Sequence, residues 1–362
     1  MIFGVPRELP PFKDTPEYRV GLSPMGVNEL MSYDITVYVE SRAGEMAGFS
    51  DLEYEQAGAK IVYTKEEAYR RADVVLKVRR PQQEEYDCIK EGQVIMGFIH
   101  LVTARKDFIQ IVQEKKITLV GYEIMQKEDG RLPVVIPMSE MAGKLSVQIA
   151  GRLLESPDGG RGILLGGIPG IPPAEVMILG AGTLGCNAAR SFAGVGANVH
   201  VLDIERNKLD YLACHTAGMK VTTMFATKHN ISMLIPYTDV IICAVLVPGK
   251  RSPILITKEM VKQMRQGSVI IDFSIDQGGC CETSKISPSG KFIYTVDGVR
   301  HFCMPNATTL VARTATHTIT SSTYPYLKIM CELGSERALK ENSVLNSGIY
   351  ADRGQIRKEY LP

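Results

Sequence analysis

The chain carries no excess of either charge: 41 lysines and arginines stand against 40 aspartates and glutamates, a formal net charge of +1. Such a balance provides no global field to gather nucleic acid or an anionic membrane surface, so neither is expected as a partner and a small-molecule partner is. No apolar run approaches the ~20 residues of a membrane span. The opening MIFGVPRELP also lacks the charged and continuous apolar regions of a secretory signal, which makes a cytoplasmic protein the expectation. The eight cysteines, at 88, 186, 214, 243, 280, 281, 303 and 331, include no C-x-x-C pair. That spacing argues against a zinc ribbon or a disulfide framework, and no metal site is expected. Adjacent Cys280 and Cys281 invite a redox-switch reading, but neighbouring cysteines reach disulfide geometry only with strain. Short internal repeats and low-complexity tracts are missing as well.

What is present is alternation. β-Branched runs at 2–5, 35–40, 73–78, 93–98 and 117–123 are separated by helical patterns near 23–32, 51–58, 64–71, 82–90 and 104–115. Strand and helix in alternation imply a mostly parallel sheet with both faces covered. The turn-rich KEDGRLP then leads to Ser139, a predicted N-cap for a helix over 140–155, and glycine and proline crowd residues 157–173. A second series follows: strands at 175–180, 198–203, 239–246 and 268–273, with helices after Gly182, near 205–213 and over 257–265. The tail beyond about 307 reads as helical. The expectation is therefore an α/β protein of two Rossmann-like domains, with residues 134–311 inserted into a discontinuous first domain made of 1–133 and 312–362.

Residues 180–185 read Gly180-Ala181-Gly182-Thr183-Leu184-Gly185, a G-x-G-x-x-G directly after the strand EVMIL and opening a helix. Gly180 permits the tight turn, Gly182 lets backbone approach a pyrophosphate, and Gly185 lets the helix sit close to its strand. The next strand, NVHVLD, ends in Asp203 about twenty residues on, where a carboxylate accepts hydrogen bonds from ribose hydroxyls. The context points to NAD, with Arg206 as a nearby positive charge. In the first series Lys77 and His100 fall at carboxyl ends of strands, the edge where ligands bind in such folds. Arg19 precedes a helix in YRVGLSP, and Asp276 follows the strand SVIIDF in the second series, with Asp272 as the plainer alternative in the same run.

These residues sit in long blocks that together resemble the alanine dehydrogenase and transhydrogenase α-chain family: GVPRE at 4–8, RVGLSP at 19–24, DVVLKV at 73–78, FIHL at 98–101 and PMSEMAGKLSVQ at 137–148. The likeness continues through 159–189, AVLVPG at 244–249, 257–280 and VDGVRHFC at 296–303. The resemblance implies NAD-dependent, reversible oxidative deamination of L-alanine to pyruvate and ammonia in a cleft between the two domains, and a homo-oligomer, a hexamer in bacterial relatives. It assigns Arg19 and Lys77 to the substrate carboxylate and oxo group, and His100 and Asp276 to catalysis. Asp276 is also assigned to the cofactor, Asn306 to substrate and cofactor, and Ser139 to the phosphate side of the cofactor. The transhydrogenase branch lacks the Lys and His pair, so the soluble dehydrogenase branch is the better match.

Three departures bear on the substrate. PFKDTPEY at 11–18 is longer than usual, Arg80 stands where the family commonly has an acidic residue, and ATTLVA at 307–312 replaces a proline-containing loop. They keep open a related dehydrogenase of a larger amino acid, of the saccharopine or lysine type. A regulator that binds NAD(H) without chemistry is the rival from another class; Lys77, His100 and Asp276 together argue against it.

Overall fold

A computed structural model describes residues 1–10, 17–245, 251–286 and 291–360. Parts of two blocks named above, 11–16 and 246–249, lie outside the described residues. The described chain divides into two compact units, one from residues up to Met138 together with those from Thr309 onward, the other from Ser139 to Thr308.

The first unit holds an eight-stranded sheet. Its strands are β1 (Ile2–Val5), β2 (Thr36–Glu40), β3 (Lys60–Val62), β4 (Val74–Arg79), β5 (Val94–Phe98), β6 (Thr118–Gly121), β14 (Ile349–Asp352) and β15 (Gln355–Ile356). Their order is β15-β14-β6-β5-β4-β1-β2-β3. All neighbours are parallel except the last two strands, which run antiparallel. The first six strands thus follow the doubly wound order 3-2-1-4-5-6, with the reversal between β1 and β4. Strands such as VVLKV and VIMGF are buried along their length, as expected where helices cover both faces. The helix Ala312–Leu333 packs on the helix Pro24–Leu30 and brings the chain back into this unit.

The tail is not wholly helical. After two short helices it forms the β14–β15 hairpin through Arg353 and Gly354, both with positive φ (45° and 82°), the pairing a tight two-residue turn requires. The segment expected as a helix near 82–90 is a short 3-10 stretch, Gln83–Cys88.

The second unit holds β7 (Glu175–Leu179), β8 (Asn198–Asp203), β9 (Val221–Phe225), β10 (Val240–Cys243), β11 (Val269–Asp272), β12 (Ile293–Val296) and β13 (Val299–Phe302). The order is β12-β13-β11-β10-β7-β8-β9, parallel throughout but for β12, and again reverses between the first and fourth strands. Both units share the order 3-2-1-4-5 of their first five strands, and in each the crevice at the carboxyl ends beside the reversal is where such sheets bind ligands. The helix expected from 140 begins earlier, at Val135. Pro137 is tolerated there because amides of a first helical turn have no partner within the helix. Ser139 therefore lies one turn inside the helix and is not its N-cap.

Candidate functional site

In the first unit the residues of interest gather at the carboxyl edge of the sheet. From Leu76 to Arg79 β4 advances three residues while β5 advances two, Met96 to Phe98, so a bulge falls at Lys77 and Val78. A bulge frees backbone amides and re-aims a side chain. Glu8, just beyond β1, takes the freed amides: its Oε1 accepts from Val78 N at 2.7 Å and its Oε2 from Arg79 N at 3.3 Å.

Lys77 is buried, and its ammonium lies 2.6 Å from Glu85 Oε1 and 3.4 Å from Glu8 Oε2. Tyr69 donates to the same Glu85 oxygen at 2.8 Å. Burial alone would depress the Lys77 pKa, but the two carboxylates outweigh it and hold the amine charged. Glu8 goes the other way: burial pushes it up to about 7, reinforced by Glu85 and Glu17 against the pull of Lys77. Removing one member of such a buried set leaves an uncompensated charge, a loss of about 3–5 kcal/mol.

Arg19 is likewise buried, and its Nε and a terminal nitrogen each donate to Glu17 at 2.6 Å. Burial would raise the Glu17 carboxyl, but Arg19 holds it below the usual range. The backbone on either side is pinned by threonines of the returning chain. Thr309 Oγ1 accepts from Tyr18 N at 2.8 Å, Thr316 Oγ1 from Val20 N at 3.2 Å and Thr320 Oγ1 from Ser23 N at 2.9 Å.

His100 is two residues past β5, partly exposed, with φ +46° in the left-handed region. Its ring stacks on Phe98 at 6.2 Å between centroids, and its Nδ1 lies 4.0 Å from Glu123.

In the second unit the glycine loop can be tested against a dinucleotide. Gly180 has φ +104°, and a Cβ there would come within 2.7 Å of the Ala244 carbonyl. At Gly185 a Cβ would meet the Gly180 carbonyl at 1.8 Å, so helix and strand depend on that hydrogen. Gly182 is the opposite case: nothing lies within 4 Å of its would-be Cβ. That is room for a ligand, beside the first amides of the twelve-residue helix Thr183–Gly194. These features fit a pyrophosphate. Asp203, at the end of β8, accepts from Ala181 N at 2.6 Å and Glu205 N at 2.9 Å, tying the glycine loop to the strand that would meet the ribose. Arg206 is engaged with Asp210 at 2.8 Å.

Beyond β11 the two candidate aspartates separate in role. Asp272 is buried and accepts from the amides of Ser274, Cys280 and Cys281 at 3.0, 2.9 and 3.3 Å, so it shapes the loop. Asp276 lies within that loop and accepts from Asn306 N at 3.1 Å. The structure thus joins Asp276 and Asn306, and Asn306 has φ +51° with its side-chain nitrogen buried and without a partner. Cys280 and Cys281 are both buried free thiols, with Cys280 Sγ 3.1 Å from Ser274 Oγ and Cys281 Sγ 3.1 Å from Thr283 Oγ1. Among the described residues no helix is long and apolar enough to cross a membrane, and no cluster of His, Cys, Asp and Glu has the makings of a metal site.

Glu85 and Glu123 are not singled out by the sequence, and Glu8 and Glu17 enter there only as parts of the blocks at 4–8 and 11–18. Their common signal is slight: a glutamate beside a strand reads as surface until the strand is seen to bury it.

Two doubly wound units, one with a glycine loop built for a dinucleotide and one with a buried cluster of acids and bases, define a two-domain dinucleotide-fold protein. Residues 4–142 match the alanine dehydrogenase/PNT N-terminal domain and residues 146–359 its C-terminal domain, and the chain belongs to that family. It is 39% identical over 360 residues to an alanine dehydrogenase of Methanococcus maripaludis, covering 99% of this chain and 95% of that one. With alanine dehydrogenase 2 of Staphylococcus aureus it shares 39% over 357 residues, 98% of this chain and 94% of the relative. Among solved structures an L-alanine dehydrogenase superposes with a TM-score of 0.91 at 39% identity, over 98% of this chain and 96% of that one. A transhydrogenase from Sinorhizobium meliloti gives 0.83 at 23% identity, over 99% and 100%, a likeness of fold alone.

Proposed function

We propose that the chain is an NAD-dependent alanine dehydrogenase, converting L-alanine, NAD+ and water reversibly into pyruvate, ammonium, NADH and a proton. The observation that carries the reading is 39% identity to alanine dehydrogenases along nearly the full chain, in a protein that has Arg19, Lys77 and His100 at one sheet edge. The first unit is the substrate domain and the second the cofactor domain.

Bound NAD supplies the hydride acceptor. Gly180, Gly182 and Gly185 with the helix they open cradle its pyrophosphate, Ser139 adds a contact on the phosphate side, and Asp203 accepts from the ribose hydroxyls. Arg19 holds the substrate carboxylate through a planar fork, in competition with Glu17. Lys77, kept charged by Glu8 and Glu85, supports the oxygen that develops at Cα once the imine formed by oxidation takes up water. His100 and Asp276 carry the protons, from the attacking water and to the departing amine. Asn306, fixed by Asp276, presents its amide to substrate and cofactor. The same reading makes the enzyme a cytoplasmic homohexamer, which the mass in solution by light scattering checks.

The deciding assay follows reduced nicotinamide by its absorbance while amino acids are screened with NAD, and 2-oxo acids with NADH and ammonium. L-Alanine and pyruvate should turn over, pyruvate only with ammonium present. Turnover of lysine or saccharopine with none of alanine would overturn the substrate, and binding of NADH with no turnover of any amino acid would overturn the reading altogether.

A further inference from the structure

The geometry points to Arg80 and Glu123 as a two-sided clamp that sets the position of His100, a role that rests on the catalytic reading of that histidine. A non-glycine residue in the left-handed region is strained by about 1 kcal/mol or more and persists only where its surroundings impose it. Here both faces of the backbone are held. On one side the Glu123 carboxylate accepts from Ile99 N at 3.2 Å and from His100 N through a short bond, and Tyr350 donates to the same carboxylate at 2.9 Å. On the other, Arg80 donates to the carbonyls of Ile99 at 3.0 Å and His100 at 3.1 Å, and onward to Thr103 Oγ1 at 3.3 Å and Thr103 O at 3.1 Å. Two successive residues, Ile99 and His100, thus have their amides on a carboxylate and their carbonyls on a guanidinium.

The arrangement fits this chain's own chemistry. A carboxylate at position 80 would have no proton to give a carbonyl. Arg80 supplies a planar fork instead, which reaches three carbonyl oxygens and one hydroxyl at once. It lies just past β4 and Glu123 just past β6, the neighbours of β5 on either side. The clamp therefore references His100 to the two strands that flank its own. Neither Arg80 nor Glu123 is assigned a proton or a substrate atom; both are positioning residues.

A double-mutant cycle tests this. Arg80→Ala should lower kcat by about 10- to 100-fold, the scale of a misplaced catalytic group, with the alanine KM within about twofold. Added guanidinium ion should restore part of the loss. In a His100→Ala background the same change should cost nothing further, because no imidazole remains to be placed. Glu123→Gln, which keeps the shape and one acceptor, should show the same pattern more weakly and covers the case in which Arg80→Ala fails to fold. Losses that multiply with His100→Ala, or wild-type kcat in both Arg80→Ala and Glu123→Gln, would overturn the clamp while leaving the role of His100 intact. Wild-type turnover in His100→Ala itself would remove that role, and the clamp's purpose with it.

Discussion

The two units share the order of their first five strands and reverse it at the same place, yet they equip the crevice beside the reversal in opposite ways. In the second unit the working surface at the glycine loop is backbone: there is no side chain at Gly180, Gly182 or Gly185, and the carboxylate of Asp203 is held by amides. In the first unit the corresponding edge is crowded with buried charge, Lys77 between Glu8 and Glu85, and Arg19 on Glu17. A pyrophosphate asks for donors that never change protonation, which peptide groups provide. Proton transfer and oxo-group stabilisation ask for groups whose charge is set by their neighbours, and burial in low dielectric is how side chains acquire it. One topology serves both because what it fixes is where strand ends point.

If that division holds, changes in the first unit should abolish chemistry and spare the cofactor. Lys77→Ala and His100→Ala in that unit should each lower kcat by about two to four powers of ten, the scale of a lost acid, base or charge partner, and Asp276→Asn in the loop after β11 of the second unit should do the same. NADH binding, followed by fluorescence, should survive in the first two, which carry no part of the glycine loop. A loss of NADH affinity in Lys77→Ala as large as its loss of turnover would break the comparison. Gly185→Ala should do the reverse. Its added Cβ meets a carbonyl at 1.8 Å and forces the helix from its strand. NADH affinity should fall by at least about tenfold, since overpacking of this kind costs about 1–3 kcal/mol, while the first unit keeps its fold. Unaltered NADH affinity in Gly185→Ala would show that the loop is not the cradle.

The charged edge should also show itself in stability. Glu8 is pushed up to about 7 from an ordinary 4.5, so between those values the folded protein binds a proton that the unfolded chain releases. Where the native state binds more protons, stability falls as pH rises. Glu8 therefore contributes a stabilisation that is full below about 4.5 and lost as pH climbs through 7, about 3 kcal/mol for a shift of that size. Glu8→Gln, neutral at every pH, should flatten this part of the profile, so urea midpoints of wild type and variant should diverge between pH 5 and 8, with the variant gaining. Parallel profiles would mean that Glu8 is ionised throughout.

How much of this the sequence discloses follows the same division. Backbone chemistry is legible because it leaves a composition: three glycines at fixed spacing between a strand and a helix, then Asp203 at the next strand's end. The long apolar strands are legible too, since parallel strands buried on both faces read as continuous runs. The charged edge is not. Glu85 and Glu17 are brought to Lys77 and Arg19 by the bulge in β4 and the turn before residue 20, and neither leaves a periodic trace. His100 reads as the end of a strand, and only the structure shows the chain turning left-handed there. β14 and β15 were hidden by brevity, four and two residues in a tail otherwise helical, although Asp352-Arg353-Gly354-Gln355 is a legible turn once a hairpin is suspected.

The smallest expected effect tests whether the carboxylate of Asp203 reads the ribose or only braces the loop. A carboxylate at Asp203 suits the 2′ and 3′ hydroxyls of NAD and opposes the 2′-phosphate of NADP. Arg206, the nearby cation that would soften the opposition, is engaged with Asp210, which favours a preference for NAD near a hundredfold over one near ten. At about 1.4 kcal/mol per tenfold, that is about 3 kcal/mol for one charge contact plus a lost hydrogen bond. Because Asp203 also accepts from Ala181 N, Asp203→Ser should weaken both cofactors through a loosened loop while relieving the repulsion that only NADP meets. Asp203→Asn keeps an oxygen for the Ala181 amide and removes the charge, so it should narrow the NAD-to-NADP ratio of kcat/KM with less loss for NAD. If both variants lose activity equally with the two cofactors and the ratio stays fixed, Asp203 braces the loop and another residue reads the ribose.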